Sequence, residues 1–281
     1  MQQENWSSII KSNSSVSLNS IKEVWQYRDL LWMFVKRDMV TNYKQTILGP
    51  LWFFIQPALT TALFVFINRA ANTSTNGVHP ILFFLIGVTA WNYFAECLTK
   101  TSTTFKDNAY IFGKVYFPRL ILPLSVVFSS LIKFFIQFSL FLATLIFFLA
   151  IGNTKVDIQA TILLIPFLIL LMAGLGLGAG MIITSMTTKY RDLALLIQFG
   201  VQLLMYGTLA IPLSSIKNET MHAILLSNPM IPIIETFRQA FFNDSSFNAI
   251  HLLYSCIVMV TLLIIGFYSF SKTEKTFTDT V

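Results

Sequence analysis

Six long apolar segments constrain the fold of this chain more than any other feature of its sequence. Each is long enough to cross a hydrocarbon layer of roughly 30 Å as a helix. Because a lipid interior offers no water to backbone N–H and C=O groups, such segments cross it as helices that satisfy their own hydrogen bonds. The sequence therefore predicts an all-α, polytopic membrane protein whose six-helix transmembrane domain covers residues 51–270. The expected spans lie at about 51–68, 80–98, 122–151, 160–186, 193–213 and 249–270.

The composition agrees with a membrane protein and argues against several other functions. Of the 281 residues, 55% are hydrophobic and only 11% are charged, unlike the residues of a soluble domain. The net charge of +6 comes from basic residues spread over the loops, so no nucleic-acid partner is expected. The sequence contains no P-loop motif, no metal-ligand spacing and no arguable Ser-His-Asp set. We therefore expect no catalytic, metal-binding or cofactor-binding residues in this chain.

The distribution of basic residues predicts the orientation of the chain in the membrane. Fourteen Lys and Arg residues fall in residues 1–50, in the loops after the second and fourth spans, and in the tail. Only four fall in the segments on the opposite side. Since cytoplasmic loops carry the excess of basic residues in membrane proteins, both termini are expected in the cytoplasm.

The segment before the first span has the pattern of a helix that lies in a membrane interface. Apolar and aromatic side chains share one arc of a helical wheel, and most charged side chains share the other. Gly49 and Pro50 end this helix before the chain enters the bilayer. We predict a flexible extension at 1–19, an interface helix with an elbow at 20–50, and a cytoplasmic tail at 271–281. The apolar arc comprises Ile21, Val24, Trp25, Leu31, Trp32 and Val35.

Two connections between the spans carry helical patterns of their own. The cytoplasmic loop after the second span is mixed in charge and predicts a short amphipathic helix. The segment at about 214–248 is largely apolar but is divided by Pro229 and Pro232, which indicates two half-length helices at the outer leaflet. A seventh span is the alternative for this segment. We reject it because it would place the basic C-terminal end outside.

The fourth span contains the run GLGLGAG, which forms two pairs of small residues four positions apart. Such pairs let the backbones of neighbouring helices approach closely. We therefore predict helix packing at Gly174 with Gly178 and at Gly176 with Gly180.

Lys133 is the clearest ionisable residue inside a span, and Gln137 shares its helix face. Two interpretations stay open: a cation near a transported anionic or hydroxyl-rich group, or a structural hydrogen bond to a neighbouring helix. Glu96, at the inner end of the second span, is expected to be an interfacial charge rather than a proton carrier. Aromatic rings suit sugar rings but equally suit lipid. The candidates for a substrate channel are Trp52, Phe53, Trp91, Tyr93, Lys133, Gln137 and Tyr206.

Five blocks of the sequence carry a family resemblance. They are WxYRxLLxxxVxRDxxxxYKQTxLGxxWxxxQP at 25–57, WNYFAE at 91–96, KVYFPRLILPL at 114–124, YRD at 190–192 and NPMIPIIETFRQA at 228–240. In this order, and spread over about 20–250, the blocks resemble the membrane subunit of ABC-2-type polysaccharide exporters. These include the O-antigen and polyol-phosphate exporters.

The resemblance implies a set of partners and a location. It implies that two copies of the chain pair with two copies of a separate ABC ATPase, which binds ATP and Mg. It implies that a pore between the two copies moves an undecaprenyl-linked polysaccharide from cytoplasm to periplasm across the bacterial inner membrane. The chain would also contact membrane lipid.

The resemblance further implies roles for particular segments. The interface helix at about 20–41 and the loop at about 99–118 would contact the ATPase, with a lesser contact at 187–192. Periplasmic gate helices would lie at about 216–227 and 232–243. The ATPase-coupling candidates are Arg28, Arg37, Asp38, Lys106, Asp107, Arg191 and Asp192. The gate candidates are Asn228, Pro229, Glu235 and Arg238.

Two alternatives remain on the sequence alone. One is an ABC-2 permease for another cargo, such as a capsule, a teichoic acid or a drug. The other is a gradient-driven carrier or a lipid-modifying membrane enzyme, which would need intramembrane acids or a clustered polar site.

Overall fold

A computed structural model describes residues 19–44, 47–73, 75, 77–112, 117–152, 159–190, 192–210, 216, 218–242 and 248–277. Nearly all of them are helical, and none of them forms a strand. The α-helices are α1 (Asn19–Gln26), α2 (Arg28–Tyr43), α3 (Trp52–Ala71), α4 (Pro80–Ser102), α5 (Thr104–Asp107), α6 (Ala109–Phe112), α7 (Ile121–Ala150), α8 (Ile165–Thr187), α9 (Leu193–Leu209), α10 (Glu219–Leu226), α11 (Met230–Phe242) and α12 (Ala249–Phe277). The predicted all-α class is confirmed for this part of the chain.

Five helical segments of the described chain are long and apolar enough to cross a membrane. Short 3-10 turns extend two of them at their N-terminal ends, Gly49–Leu51 before α3 and Ala160–Leu164 before α8. The bounds lie within a few residues of the predicted spans, except that the last helix continues further. α9 is apolar but shorter, with 17 residues, and 211–213 of its predicted span lie outside the described residues. The five segments are Gly49–Ala71, Pro80–Ser102, Ile121–Ala150, Ala160–Thr187 and Ala249–Glu274.

α4 is the central helix of the bundle. In its most apolar stretch 78% of the residues are buried, against 22–39% in the other four long segments. α4 packs against α3, α7, α8, α9 and α11, whereas α12 packs chiefly against α8. Polar side chains on α4 therefore face protein rather than lipid, which makes it the natural element on which to place a polar site.

The glycines of α8 allow close contact with two neighbouring helices at once. A Cβ atom added to Gly178 would lie 2.7 Å from the carbonyl carbon of Leu262 in α12. A Cβ atom added to Gly180 would lie 2.6 Å from the Cβ atom of Thr101 in α4. Residues two positions apart point about 200° apart on an α-helix, so the two pairs serve opposite faces. Gly174 also faces α12, and Gly176 also faces α4.

The segment before the first span forms two consecutive helices, α1 and α2, separated at Tyr27. Only part of its predicted apolar arc is buried. Leu31 and Val35 pack in a cluster with Phe117, Ile121 and Leu122 at the start of α7, whereas Trp25 and Trp32 are exposed. The predicted elbow at Gly49 has a φ of +50°, which favours glycine. The predicted flexible extension lies outside the described residues apart from Asn19.

The helical connections differ from the predictions in detail. The loop after the second span has two single-turn helices, α5 and α6, in place of one amphipathic helix. The outer segment does contain two helices, α10 and α11, but α11 begins before Pro232. In the first turn of a helix the backbone N–H groups have no intrahelical acceptor, so a proline, which lacks an N–H, can stand there. Pro232 is the third residue of α11 and therefore does not interrupt the helix. Most of α11 is buried against other helices, so it lies within the protein.

The bundle has two distinct ends. At one of them, which we call the basic end, α2 packs against the start of α7, and α5 packs against α8 near the C-terminal ends of α4 and α12. The ring centroids of Phe105 and Phe270 lie 4.7 Å apart there, and Thr187 Oγ1 donates a 2.6 Å hydrogen bond to the carbonyl of Ser102. The opposite end carries α10 and α11. There the Tyr254 hydroxyl donates a 2.8 Å hydrogen bond to the carbonyl of Ser227.

Candidate functional site

A cavity of about 390 Å³ lies between α3, α4 and α7 near the basic end of the bundle, and it is open on the side where Trp52 and Gln56 are exposed. We call it the polar cavity, because most of its lining side chains are polar or aromatic. The lining residues are Trp52, Phe53, Gln56, Asn92, Ala95, Glu96, Thr99, Lys133 and Gln137. Four of the predicted channel residues, Trp52, Phe53, Lys133 and Gln137, are thus brought together.

Glu96 of α4 holds two lysines at the edge of the polar cavity. Its Oε1 atom accepts a hydrogen bond from Lys133 Nζ of α7 and lies 2.7 Å from Lys100 Nζ on its own helix. The Lys133 side chain is only 8% exposed, and its Nζ lies 5.7 Å from the ring centroid of Phe53. A buried charge needs such a partner to offset its desolvation. Of the two interpretations left open for Lys133, this geometry shows the hydrogen bond to a neighbouring helix.

An amide pair continues this contact one turn further along the same two helices. Asn92 Nδ2 donates a 3.2 Å hydrogen bond to Gln137 Oε1. α4 and α7 run antiparallel, so the four-residue spacing of Asn92 and Glu96 matches that of Gln137 and Lys133. Asn92, Gln56 and Thr99 also line the cavity but were not among the predicted channel residues. The signal that could have found Asn92 is its position one turn before Glu96 on one helix face.

Three other channel candidates lie elsewhere. Trp91 and Tyr93 are each 2% exposed and belong to the core of the bundle, because their positions on α4 point away from the cavity. Tyr206 of α9 packs on Phe64 of α3, with ring centroids 5.7 Å apart. Because they are buried within the described chain, Trp91 and Tyr93 have no surface on which a ligand could lie.

A second concavity, which we call the groove, lies at the basic end between α2 and the segment formed by α5 and α6. Its volume is about 320 Å³. Arg37 organises it: Nε and Nη2 donate to Asp38 Oδ1 at 3.0 and 2.9 Å, and Nη1 donates to Asn108 Oδ1 at 3.0 Å. The lining residues are Arg37, Asp38, Thr41, Lys100, Thr104, Asp107, Asn108, Tyr110 and Val126.

The groove gathers only part of the predicted ATPase-coupling set. Arg37, Asp38 and Asp107 line it, and the exposed side chain of Lys106 lies beside it in sequence. Arg28 lies further along the interface segment and is exposed, with its Nε 3.9 Å from Asp29 Oδ1. Asp192 is exposed just before α9, and Arg191 lies outside the described residues.

One ion pair connects the groove with the polar cavity. Lys100 lines the groove, and its partner Glu96 lines the cavity. Both residues lie on α4, one helical turn apart, so a displacement of this turn changes both concavities. Neither Lys100 nor Asn108 was among the predicted coupling residues, because nothing in the local sequence marks them as neighbours of α2.

The predicted gate residues are anchored at the opposite end of the bundle. Asn228 Oδ1 accepts from the Met230 N–H at 3.0 Å, and its Nδ2 donates to Thr208 Oγ1 of α9 at 2.9 Å. The carbonyl of Pro229 accepts from Ser255 Oγ of α12 at 2.8 Å.

Arg238 is almost fully buried and ties α11 to the central helix. Its guanidinium lies 3.7 Å from the ring centroid of Phe83, and its Nε donates to the Phe83 carbonyl at 3.3 Å. Its Nη1 also donates to Glu235 Oε1 at 2.8 Å. Arg238 therefore holds α11 against α4 in this conformation, and Glu235 pairs with it on the same helix.

Comparison with known proteins adds independent information about the whole chain. The family described as "ABC-2 type transporter" matches residues 29–242. The O-antigen export system permease protein RfbA of Myxococcus xanthus is 25% identical over 263 residues, covering 93% of this chain and 98% of that protein. The O-antigen export system permease protein RfbA of Klebsiella pneumoniae is 26% identical over 252 residues, covering 89% of this chain and 94% of its own length.

Proposed function

Because the chain belongs to the ABC-2 type transporter family, we propose that it is the transmembrane permease subunit of an ABC exporter. Its cargo is an undecaprenyl-linked polysaccharide such as O-antigen, moved from cytoplasm to periplasm. A separate ATPase subunit binds ATP and Mg and supplies the energy, so this chain is not itself an enzyme. The names of the relatives from Myxococcus xanthus and Klebsiella pneumoniae support the choice of cargo.

The observation that carries this proposal is the placement of the groove and the polar cavity on either side of the Lys100–Glu96 pair. An ATPase docked at the groove can press on α2 and α5. The same turn of α4 then transmits that displacement to the wall of the cavity, where the cargo passes. Coupling by rigid elements with two discrete arrangements is a common mode of energy transmission in transporters.

We assign six spans, with α9 as the additional one. Its 17 residues extend for roughly 25 Å at about 1.5 Å per residue, which is at the short end of the range for a membrane-spanning helix. An even number of crossings places both termini on one side of the membrane. The excess of basic residues assigns that side to the cytoplasm of a bacterial inner membrane, with α10 and α11 on the periplasmic side as gate helices.

We assign a homodimer with the pore between its two copies. The support comes from two exposed glutamines on the apolar helix α9, Gln198 and Gln202. They lie four residues apart and therefore share one face of this helix. An amide that faces lipid lacks hydrogen-bond partners, and an aqueous pore beside a second copy supplies them.

The test is the assembly of a permease–ATPase complex and the amount of glycan that it exports per ATP hydrolysed. We expect the purified permease to retain an ATPase with vanadate-sensitive turnover. Replacing Arg28, Arg37 or Asp38 with Ala is expected to leave ATP turnover but to lower export, because these residues receive the movement of the ATPase. Lys44→Ala, an exposed lysine after α2, is the matched control and should export normally.

Two results would contradict the proposal. An inactive permease that retains no ATPase under conditions that preserve such complexes would argue for a carrier or an enzyme. Unchanged export in all three of the Arg28, Arg37 and Asp38 variants would remove the assigned coupling surface.

A further inference from the structure

We propose that a cleft on the surface of the bundle binds an anionic phospholipid, with the lipid phosphate at Arg69 and one acyl chain along the cleft. This cleft, which we call the apolar cleft, lies between α3, α4 and α7 and has a volume of about 340 Å³. It is distinct from the polar cavity, which lies between the same helices nearer the basic end. The inference goes beyond the proposed export function, because it involves neither the cargo nor the ATPase.

Small side chains on one face of α3 form the floor of the apolar cleft. Ala58, Thr61 and Ala62 line it, and Val65 and Phe66 follow one turn further along the helix. Positions three or four residues apart share one face of a helix, so these five side chains form one continuous strip. Ala58, Ala62 and Phe66 are exposed, so the cleft opens to the surroundings of the bundle.

The apolar cleft has about the length of one membrane leaflet. Ala58 and Arg69 mark its two ends on α3, about three helical turns apart, which is roughly 16 Å at about 1.5 Å per residue. Half of a hydrocarbon core of roughly 30 Å is about 15 Å. The walls carry the aliphatic side chains of Ile81 and Leu85 from α4 and Leu140 from α7. An acyl chain can therefore lie along the cleft while its headgroup stays at the membrane surface.

Arg69 places a positive charge at the end of the apolar cleft that lies away from the basic end. Its side chain is exposed and forms no ion pair with the described residues. Burial lowers the pKa of His79, the residue before α4, and the positive charge of Arg69 lowers that pKa further. The charge of Arg69 is thus not neutralised by the described protein. A phosphate at the level of the lipid headgroups complements it.

The apolar cleft lies on the face of α3 that is turned away from α9. Phe64 of α3 packs on Tyr206 of α9, whereas Ala62 and Phe66 line the cleft. Each of these two residues is two positions from Phe64 and so points about 200° away from it. Because α9 carries the glutamines assigned to the pore, a second copy on that side leaves the cleft in contact with lipid. We therefore assign a phospholipid, and not a second copy, as its occupant.

The test is photocrosslinking of the purified full-length permease in phosphatidylcholine nanodiscs. The probe is a small fraction of phosphatidylglycerol that carries a diazirine in one acyl chain. We expect peptide mapping to place adducts on α3 between Ala58 and Phe66 and on α7 between Leu140 and Thr144. A phosphatidylcholine probe with the same labelled chain should give about fivefold less labelling, because it lacks a net charge for Arg69 to attract.

Substitutions separate the charge from the shape of the apolar cleft. Arg69→Gln should reduce the fivefold headgroup preference to about one, whereas Arg69→Lys should keep most of it. Ala62→Trp fills the cleft and should lower labelling by both probes about tenfold, since an acyl chain loses its buried CH₂ groups there. Leu63→Trp, at an exposed position of α3 outside the cleft, is the matched control for shape. Lys189→Gln, at an exposed cation before α9, is the matched control for charge.

Three outcomes would overturn the inference. Adducts that persist unchanged in both Arg69→Gln and Ala62→Trp would show only unspecific contact with surrounding lipid. Equal labelling of the unmodified protein by the two probes would refute the role of Arg69. A disulfide-linked dimer of Ala62→Cys, made in a Cys97→Ala/Cys256→Ala background, would show that a second copy covers the cleft. Because the measurement uses neither cargo nor ATPase, its failure leaves the proposed export function unaffected.

Discussion

At the scale of single residues, the two partners of the buried ion pair are not equivalent. Glu96→Gln leaves Lys133 as a buried cation without a carboxylate, whereas Lys133→Met leaves Glu96 paired with Lys100 at 2.7 Å. Removing one partner of a buried pair costs about 3–5 kcal/mol when the other charge stays uncompensated. We therefore expect Glu96→Gln to destabilise the protein by about 3 kcal/mol and Lys133→Met by about 1 kcal/mol.

Thermal unfolding of the purified variants in one detergent measures this difference. The double variant Glu96→Gln/Lys133→Met serves as the control, because it removes the buried cation of Lys133 and should recover part of the loss. It leaves only Lys100, whose side chain is 34% exposed, without its carboxylate. A larger loss for Lys133→Met than for Glu96→Gln would mean that Lys133 has another carboxylate partner in the assembled protein.

At the scale of helices, the close packing of α8 should tolerate no added side chain. A methyl group at Gly178 would meet the backbone of α12, at 2.7 Å from the Leu262 carbonyl carbon and 2.8 Å from the Leu263 nitrogen. Because a backbone cannot rotate away as a side chain can, Gly178→Ala should cost about 1–3 kcal/mol of stability. Gly200 on α9 has no neighbouring atom within 4 Å of the added carbon, so Gly200→Ala is the matched control.

We expect the Gly200→Ala variant to be unchanged or slightly more stable, by up to about 1 kcal/mol, because alanine lowers the conformational freedom of the unfolded chain. The measurement is the thermal unfolding midpoint of each variant, compared with that of the unmodified protein. Equal midpoints would show that α8 and α12 can separate at little cost.

Helix-scale geometry also explains which features could be predicted from the sequence. Length and apolarity are local properties, so the bounds of the long helices and the small-residue run of α8 follow from the order of residues alone. The rotation of a helix about its axis is not local. Trp91 and Tyr93 are aromatic residues of the kind that could line a sugar channel, yet their positions on α4 place them in the core. Their role depends on which neighbours surround α4.

At the scale of the whole molecule, the candidate sites unite residues that are far apart in sequence. Lys133 was conspicuous in the sequence because a charge inside an apolar span has few explanations. Its partner Glu96 lies 37 residues away, and Arg37 reaches Asn108 across 71 residues. No periodicity in either segment encodes these pairings, which arise only when α2, α4 and α7 pack together. Lys133 and Arg37 could be predicted as site residues from the sequence, but their hydrogen-bond partners Glu96 and Asn108 could not.

The orientation of the whole chain depends on α9, because this is the shortest of the assigned spans. If α9 crosses the membrane, Lys189 before it and Glu219 after it lie on opposite sides; if it does not, they share one side. Both side chains are exposed.

Lys189→Cys and Glu219→Cys, each made in a Cys97→Ala/Cys256→Ala background, can therefore be labelled in spheroplasts with a membrane-impermeant maleimide. We expect Glu219→Cys to react in intact spheroplasts and Lys189→Cys only after lysis, with Lys44→Cys as the control for the cytoplasmic side. Reaction of both cysteines under the same condition would reduce the chain to five spans and place its C-terminal end in the periplasm.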